Sequence, residues 1–497
     1  MQWMGGWSIF QKSNTHFIGF LFIVGVMAVS VFFSVGHAVA KSITVNKKNF
    51  PDKELRKELD SEGVAMGDKI TRRELKAIKG LTMTAKKRKL NYKGVELFPN
   101  ITYMDLTECS KVVKLPEASR LEELDYGNDA MQRMSVRQYP QLKTVSIWGE
   151  RLVRLDLSKN SQLKHLSLEA PNLIELDLSR LKKLEKLELF LKELKQLDLS
   201  QNKRLKVLML EYIRGSAIHL PSLPRLEELT IDHSDIETLD LTGFRNLKKI
   251  SIFNCEKLQS IRLQRCRSLV TVNAQNCSKL QEIDADDSIQ LKTLKFSQCE
   301  KMIHLDSLDL SKLKRLELWK TIIYNLSSAR FPKLKKLSLD LDAQPLFDFQ
   351  SLKGLVSLEI SDDRTIRVLD VSMLPKLSSL SWRFGVVKKV KFGKKSRFKK
   401  IDLFGNQLSG AWNLSKFKNL NMFDCCNNKI TSLDLGKSDQ KLDLYCYNNR
   451  LKKINAKHVP KLSDLECWGN RGVKVYLHSR KKKHSEWQFD KTTKVYY

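Results

Sequence analysis

The groups in this 497-residue chain that could carry nucleophilic, metal or acid–base chemistry are nine histidines, nine cysteines and one short run of aspartates. Their spacing offers little of that chemistry. His165, His219, His233 and His304 form no i, i+4 pair and no metal-ligand spacing. The chain holds no G-x-S-x-G, no phosphate loop and no C-x-x-C. Asp284, Asp286 and Asp287 cluster in one short segment, which suits a solvated turn. An enzyme is not expected, nor a cofactor or a catalytic residue.

The cysteines are spaced by something other than reactivity. Cys255, Cys277 and Cys299 recur at 22-residue steps, and Cys425, Cys446 and Cys467 at 21-residue steps. Cys109 and Cys266 hold sites equivalent to the first group. Such regularity predicts stacked, buried, reduced thiols acting as small hydrophobes. Stacked strands lie about 4.8 Å apart, but their parallel side-chain vectors suit a bridge poorly.

The same step governs the whole chain. Leu184, Leu187 and Leu189 are followed by Leu194, Leu197 and Leu199, a spacing of 3, 2, 5, 3 and 2 that no helix stripe gives. Triplets of this kind begin at Ile101, Leu121 and Leu142 and continue to Leu462, eighteen in all, with Lys441 the one charged first position. Every step is 20 to 22 residues. Each unit carries a second triplet, often Leu-Asp-Leu-Ser as at Leu155–Ser158, Leu176–Ser179 and Leu197–Ser200. Too few residues separate the triplets to hold a helix. The expected fold is a mainly β solenoid of about 18 coils, with two parallel strand ladders, roughly 85 Å long.

The segment from Phe423 to Ser438, FDCCNNKITSLDLGKS, closely resembles the nested 21-residue unit of bacterial leucine-rich-repeat proteins. The resemblance spans about 370 residues, although many middle coils lack the repeat's Asn. It implies a secreted or surface interaction protein of Gram-positive type. The lead from Ile43 and the terminal Glu486–Tyr497 are similar to the caps of such proteins. Relatives often carry a calcium-loop-like lead, but here only Glu74 keeps a ligand position, and Gly63, Ala65 and Gly67 stand where oxygens are needed. Thr71 and Glu74 instead make a capping box.

The domain reading is therefore 1–40 an export signal or uncleaved anchor, 41–99 a small helical cap, 100–472 the solenoid and 473–497 a C-terminal cap. Lys12 precedes the apolar stretch Phe17–Val35, and Ala38-Val39-Ala40 offers a small-residue cleavage site. Contact with a membrane would run only through this stretch. The formal charge is +32, or +31 after cleavage, which points to acidic partners or surfaces.

The outward positions divide that charge. Between the last two core residues of the first triplet stand Asp105, Asp125, Glu188, Glu317, Glu359, Asp402, Asp424 and Glu466, with Lys295 the basic exception. The next outward position carries Trp148, Phe190, Phe253, Trp319, Phe404, Tyr447 and Trp468. Bases such as Arg120, Lys183, Arg204, Lys292, Lys314 and Lys335 flank the first core position. An acidic, aromatic strand face beside a basic edge is expected. Fixed aromatics with carboxylates suit a protein or glycan partner, or alternatively they stiffen the sheet. The basic segments Lys388, Lys389, Lys391, Lys394, Lys395, Arg397, Lys399 and Lys400, and Arg480, Lys481, Lys482 and Lys483, suit a polyanion. An exported chain seldom meets nucleic acid, so anionic cell-wall polymers or acidic glycans are favoured over DNA. The reading is a non-catalytic secreted or surface binding protein; the alternative is a wall-associated structural protein held by its basic edge.

Overall fold

An extended chain turns alternate residues to opposite faces, so each triplet can bury its leucines on one side only. In the computed structural model, which describes residues 42–83, 91–107, 115–214, 218, 220–285, 290–305, 308–324, 326–340, 348–394, 397–479 and 487–497, this is how the triplets fold. The strand Lys186–Phe190 buries Leu187 and Leu189 fully and leaves Glu188 half-buried between them. Leu184, Leu194, Leu197 and Leu199 complete the same coil and are all buried. Residues 1–40, read above as an export signal or anchor, and Cys109, His219, Asp286, Asp287, Lys395 and Arg480–Lys483 lie outside the described residues. Ile43–Tyr497 form one unit.

Nineteen strands make the first ladder. Pairing is parallel and in register, so Leu166, Leu187, Leu208 and Leu229 stand in one row. The ladder starts where Gly80–Thr82 pairs with Tyr103–Leu106 and runs to Leu462–Glu466 on Leu442–Tyr445. Among the described residues no pairing joins those ends, so this is an open stack and not a closed barrel. Each coil sits only on its neighbours, and one continuous apolar core runs through all of them. The result is a leucine-rich-repeat solenoid of about 18 coils.

The second ladder is interrupted. Its longest piece joins Ser409–Asn413, Lys429–Asp434, Lys453–Asn455, Lys474–Tyr476 and Lys494–Tyr496. Elsewhere two or three strands pair, or single bridges such as Leu197 with Ile218. The Leu-Asp-Leu-Ser motif fixes where the short second-ladder strands end. Asp156, Asp177, Asp198 and Asp240 each accept the backbone N–H two residues on, at 2.8–3.0 Å, which bends the chain into an Asx turn and ends the strand.

From the strand Val207–Glu211 onward, two residues commonly turn the corner after a first-ladder strand. One is left-handed, and it is often not glycine: Tyr212, His233, Asn254, Asn276, Gln298, Phe384, Asn427 and Asn448 all have φ between 46° and 58°. The next points inward. Where it is Asn it ties two coils together, as Asn428 does by donating to the carbonyls of Leu403 (2.9 Å) and Cys425 (3.1 Å). Where it is Cys the thiol makes a weaker version; Cys255 Sγ lies 3.2 Å from the Phe253 carbonyl. All eight described cysteines are buried, and no disulfide joins any two of them.

The N-terminal cap holds helices α1 (Lys53–Ser61) and α2 (Arg72–Ala77). Asp52 caps α1 by accepting from Glu54 N at 2.9 Å, and Leu55 and Leu59 bury one face. Thr71 and Glu74 form the capping box expected of them. At the other end Gln488 bridges to Glu466, while Lys494–Tyr496 pairs with Lys474–Tyr476. Both ladders thus continue into the segment after residue 472.

Candidate functional site

Of the outward aromatics, the structure gathers only the C-terminal ones. The rings of Tyr447 and Trp468 stack with centroids 4.3 Å apart and planes 7° from parallel. Phe404 meets Tyr447 edge-on at 6.3 Å, across the coil whose corresponding residue is the buried Cys426. Phe384 extends the row, edge-on to Phe404 at 5.2 Å. Its left-handed backbone (φ 55°) throws the ring outward, and it is 54% exposed. The guanidinium of Arg383 lies 4.9 Å from the Phe404 ring and 5.6 Å from that of Phe384. The row is thus four rings and one cation over five coils.

The other aromatics stand apart from it. Trp148 packs down on Gly127, where a Cβ would collide with the indole ring. Phe253 and Trp319 make no ring contact among the described residues. Phe190 belongs to a second cluster that the sequence did not reveal: it meets Tyr212 at 4.9 Å, and Tyr212 stacks on His233 at 4.5 Å. Lys192 Nζ lies 4.8 Å from the Tyr212 ring. Nothing in the sequence marks Tyr212 and Phe384 as outward, because a bulky residue at a left-handed corner is uncommon.

The expected acidic partners are corrected by burial. Asp402 is 4% exposed and Asp424 9%, so neither faces solvent. They stand opposite each other in register, under the row. Asp402 accepts from Ser381 Oγ (3.2 Å) and Phe404 N (3.3 Å) and lies 3.5 Å from Arg383 Nε. Asp424 accepts from Cys426 N at 2.9 Å. Burial raises the Asp424 carboxyl above the usual range; the Cys426 hydrogen bond opposes this and Asp402 adds to it. Arg383 and Phe404 cover carboxylates that spacing alone makes outward. Glu466 stays half-exposed, raised by burial and then by Asp464.

The basic edge is partly neutralised. Lys143 pairs with Glu122 (2.7 Å), Lys206 with Glu185 (2.8 Å) and Lys248 with Glu227 (2.6 Å), each acid holding the same repeat position one coil earlier. Lys292, Lys314 and Lys335 have no acidic partner among the described residues. The segment from Lys388 is not one patch: Lys389 and Lys391 sit on the second ladder and Lys400 on the first. Lys388, Lys394, Arg397 and Lys399 are exposed.

One cluster has metal-ligand types. Ligand atoms of Glu211, Asp232 and His233 lie within 4.8 Å of one another. Yet Asp232 Oδ1 already meets His233 Nδ1 at 2.8 Å and accepts from Asn254 Nδ2 at 2.8 Å, and Asn276 in turn donates to Asn254 at 2.7 Å. Asp232 is thus the end of a side-chain ladder along the corners that runs through Asn254 to Asn276.

The stacked coils, asparagine and cysteine corners and inward leucine rows define the class as leucine-rich-repeat solenoids. Residues 206–313 match the family described as the endo-beta-N-acetylglucosaminidase EndoS LRR domain. No curated protein matches the chain. Among solved structures, the chain is similar to an internalin of Listeria monocytogenes, InlF, at 16% identity over 74% of this chain and 98% of that one, with a TM-score of 0.38. The functional domain of InlJ from Listeria monocytogenes, described as including a cysteine ladder, is 14% identical over 88% and 82% of the two chains, with a TM-score of 0.34. Toll in its complex with Spätzle, from Drosophila, is 16% identical over 80% and 61%, with a TM-score of 0.37.

Proposed function

We propose that the chain is an exported, non-catalytic binding solenoid whose strand face near the C-terminal end takes a protein or glycan partner. The aromatic row Phe384, Phe404, Tyr447 and Trp468 carries this reading. Rigid rings offer large contact area at low entropic cost, which is what recognition faces use. Arg383 and Glu466 supply polar groups at its margin; Asp402 and Asp424 support it from below. No helix among the described residues is long and apolar enough to cross a membrane. Export through residues 1–40, a place at the surface of a Gram-positive cell and kinship with the 21-residue class remain parts of this proposal.

The test compares retention of the wild type and of Tyr447→Ala/Trp468→Ala on immobilised mucin and on purified cell walls. A loss of more than about 2 kcal/mol in binding is expected for hot-spot residues. Equal retention by the correctly folded double variant on every surface that holds the wild type would show the row to be structural.

The second reading, retention on anionic wall polymer, is favoured by the exposed lysines without acidic partners on the first-ladder edge. Lys292, Lys314 and Lys335 are one such row.

A further inference from the structure

The second ladder carries a like-charge row that none of the sequence segments reveals. Lys453, Lys474 and Lys494 are register partners on three successive parallel strands, and all three are exposed. Parallel neighbours lie about 4.8 Å apart. Among the described residues no carboxylate pairs with any of these ammonium groups. Two positions along each strand runs a parallel row of Asn455, Tyr476 and Tyr496. The tyrosine rings stack at 4.9 Å and 16°, and Lys453 and Lys457 Nζ lie 5.2 Å and 5.3 Å from the Tyr476 centroid. The nearest acid in the ladder, Asp434, is held by Asn455 Nδ2 (3.1 Å) and Gly436 N (3.1 Å).

Like charges directly opposite one another on a ladder repel. Lysine on an edge strand discourages unwanted pairing, but that explains Lys494 and not Lys453 or Lys474, which have strands on both sides. We infer that this row is a track for a linear phosphate polymer lying along the stack of coils. A chain of anions in line with the ammonium groups offsets their repulsion several at a time. Four lysines and no arginine make point charges, which suit tetrahedral phosphate oxygens; planar carboxylates are better matched by the guanidinium fork. The phenol hydroxyls of Tyr476 and Tyr496 can donate to the same oxygens. The proposal rests on the polyanion reading for its class of partner, but places it on the opposite ladder from the basic edge.

Inorganic polyphosphate is the probe, titrated into the full exported chain at several salt concentrations. Two variants lose equal charge: Lys453→Gln/Lys474→Gln/Lys494→Gln on the row, and Lys47→Gln/Lys48→Gln/Lys69→Gln in the N-terminal cap. All six residues are exposed, so melting should not change. The row variant is expected to bind at least ~10-fold more weakly, with the slope of log affinity against log salt reduced by about two, since three released counterions contribute about 0.7 each. The cap variant should change affinity by less than about threefold. Equal weakening of both, or of neither, overturns the track. Saturation by orthophosphate at similar concentration overturns it too, because that marks a single-anion pocket. Loss of heparin binding by the row variant with polyphosphate binding intact assigns the row to acidic glycans instead. Failure of the wild type to bind polyphosphate refutes the polyanion reading itself.

Discussion

Asp424 stands directly opposite Asp402 on the neighbouring strand, and both carboxyl groups are buried beneath Arg383 and the aromatic row. Burial, the larger cause, and the neighbouring Asp402 raise the Asp424 carboxyl. The folded chain therefore holds this proton to higher pH than the unfolded chain does. The stability linked to it is present below the ordinary carboxylate range and is lost as pH rises through the raised folded value. Asp424→Asn keeps an oxygen for Cys426 N and removes the titration. Its urea midpoint should gain on the wild type as pH rises from the ordinary carboxylate range through the raised folded value. Parallel pH profiles for the two proteins would contradict the account.

Asn470 is a second point of leverage. Its side chain donates to the carbonyls of Cys446 (3.0 Å) and Cys467 (2.9 Å) and accepts from Leu451 N (2.9 Å), at 1% exposure. Asn470→Ala takes these partners from Leu451 N and the Cys467 carbonyl, while the Cys446 carbonyl keeps Asn449 Nδ2 (3.2 Å), and is expected to cost about 3 kcal/mol in urea unfolding. Cys277→Ala, at the equivalent corner, loses only weak thiol contacts and should cost about 1 kcal/mol.

The thiols should be inert. Burial pushes Cys255 and Cys467 up to about 12 and Cys446 well above the ordinary thiol range, whereas the hydrogen bond with Cys277 lowers Cys299, which is shielded by its complete burial. Thiolate, not thiol, is the reacting form. Iodoacetamide at neutral pH should leave all eight described cysteines unlabelled in the native protein and label them all in denaturant. Stoichiometric bridges in non-reduced peptides would contradict the packing account.

Retention on anionic wall polymer predicts release of the processed chain when whole cells are washed in about 1 M salt, where the screening length falls to about 3 Å. Complete retention would favour an uncleaved anchor at residues 17–35.

Much of this architecture is legible in the sequence because its information is periodic. The inward leucines repeat with the coil, so Leu184, Leu187 and Leu189 declare a strand despite a helix-like composition. Corner geometry is not periodic in residue type. Tyr212 and Phe384 adopt a backbone expected of glycine or asparagine, and that choice directs their rings. Nor does spacing say what lies over a side chain: Asp402 occupies the same register position as Glu359, and differs because Arg383 and Phe404 cover it. Ion pairs between coils, such as Lys143 with Glu122, are visible only when residues 21 apart are read side by side.

The interruption of the second ladder has a mechanical meaning. Of the two sides of the stack, one is laced by hydrogen bonds from coil to coil without a break, and the other only in pieces. Under tension along the stack, the broken side would gape first at its gaps, for instance between Arg154–Asp156 and Thr238–Asp240, while the unbroken side acts as the tendon. The five paired strands at the C-terminal end lace that stretch on both sides, and it holds the lysine row and all of the aromatic row but Phe384. A tethered cell or polymer would thus pull where both sides of the stack resist it.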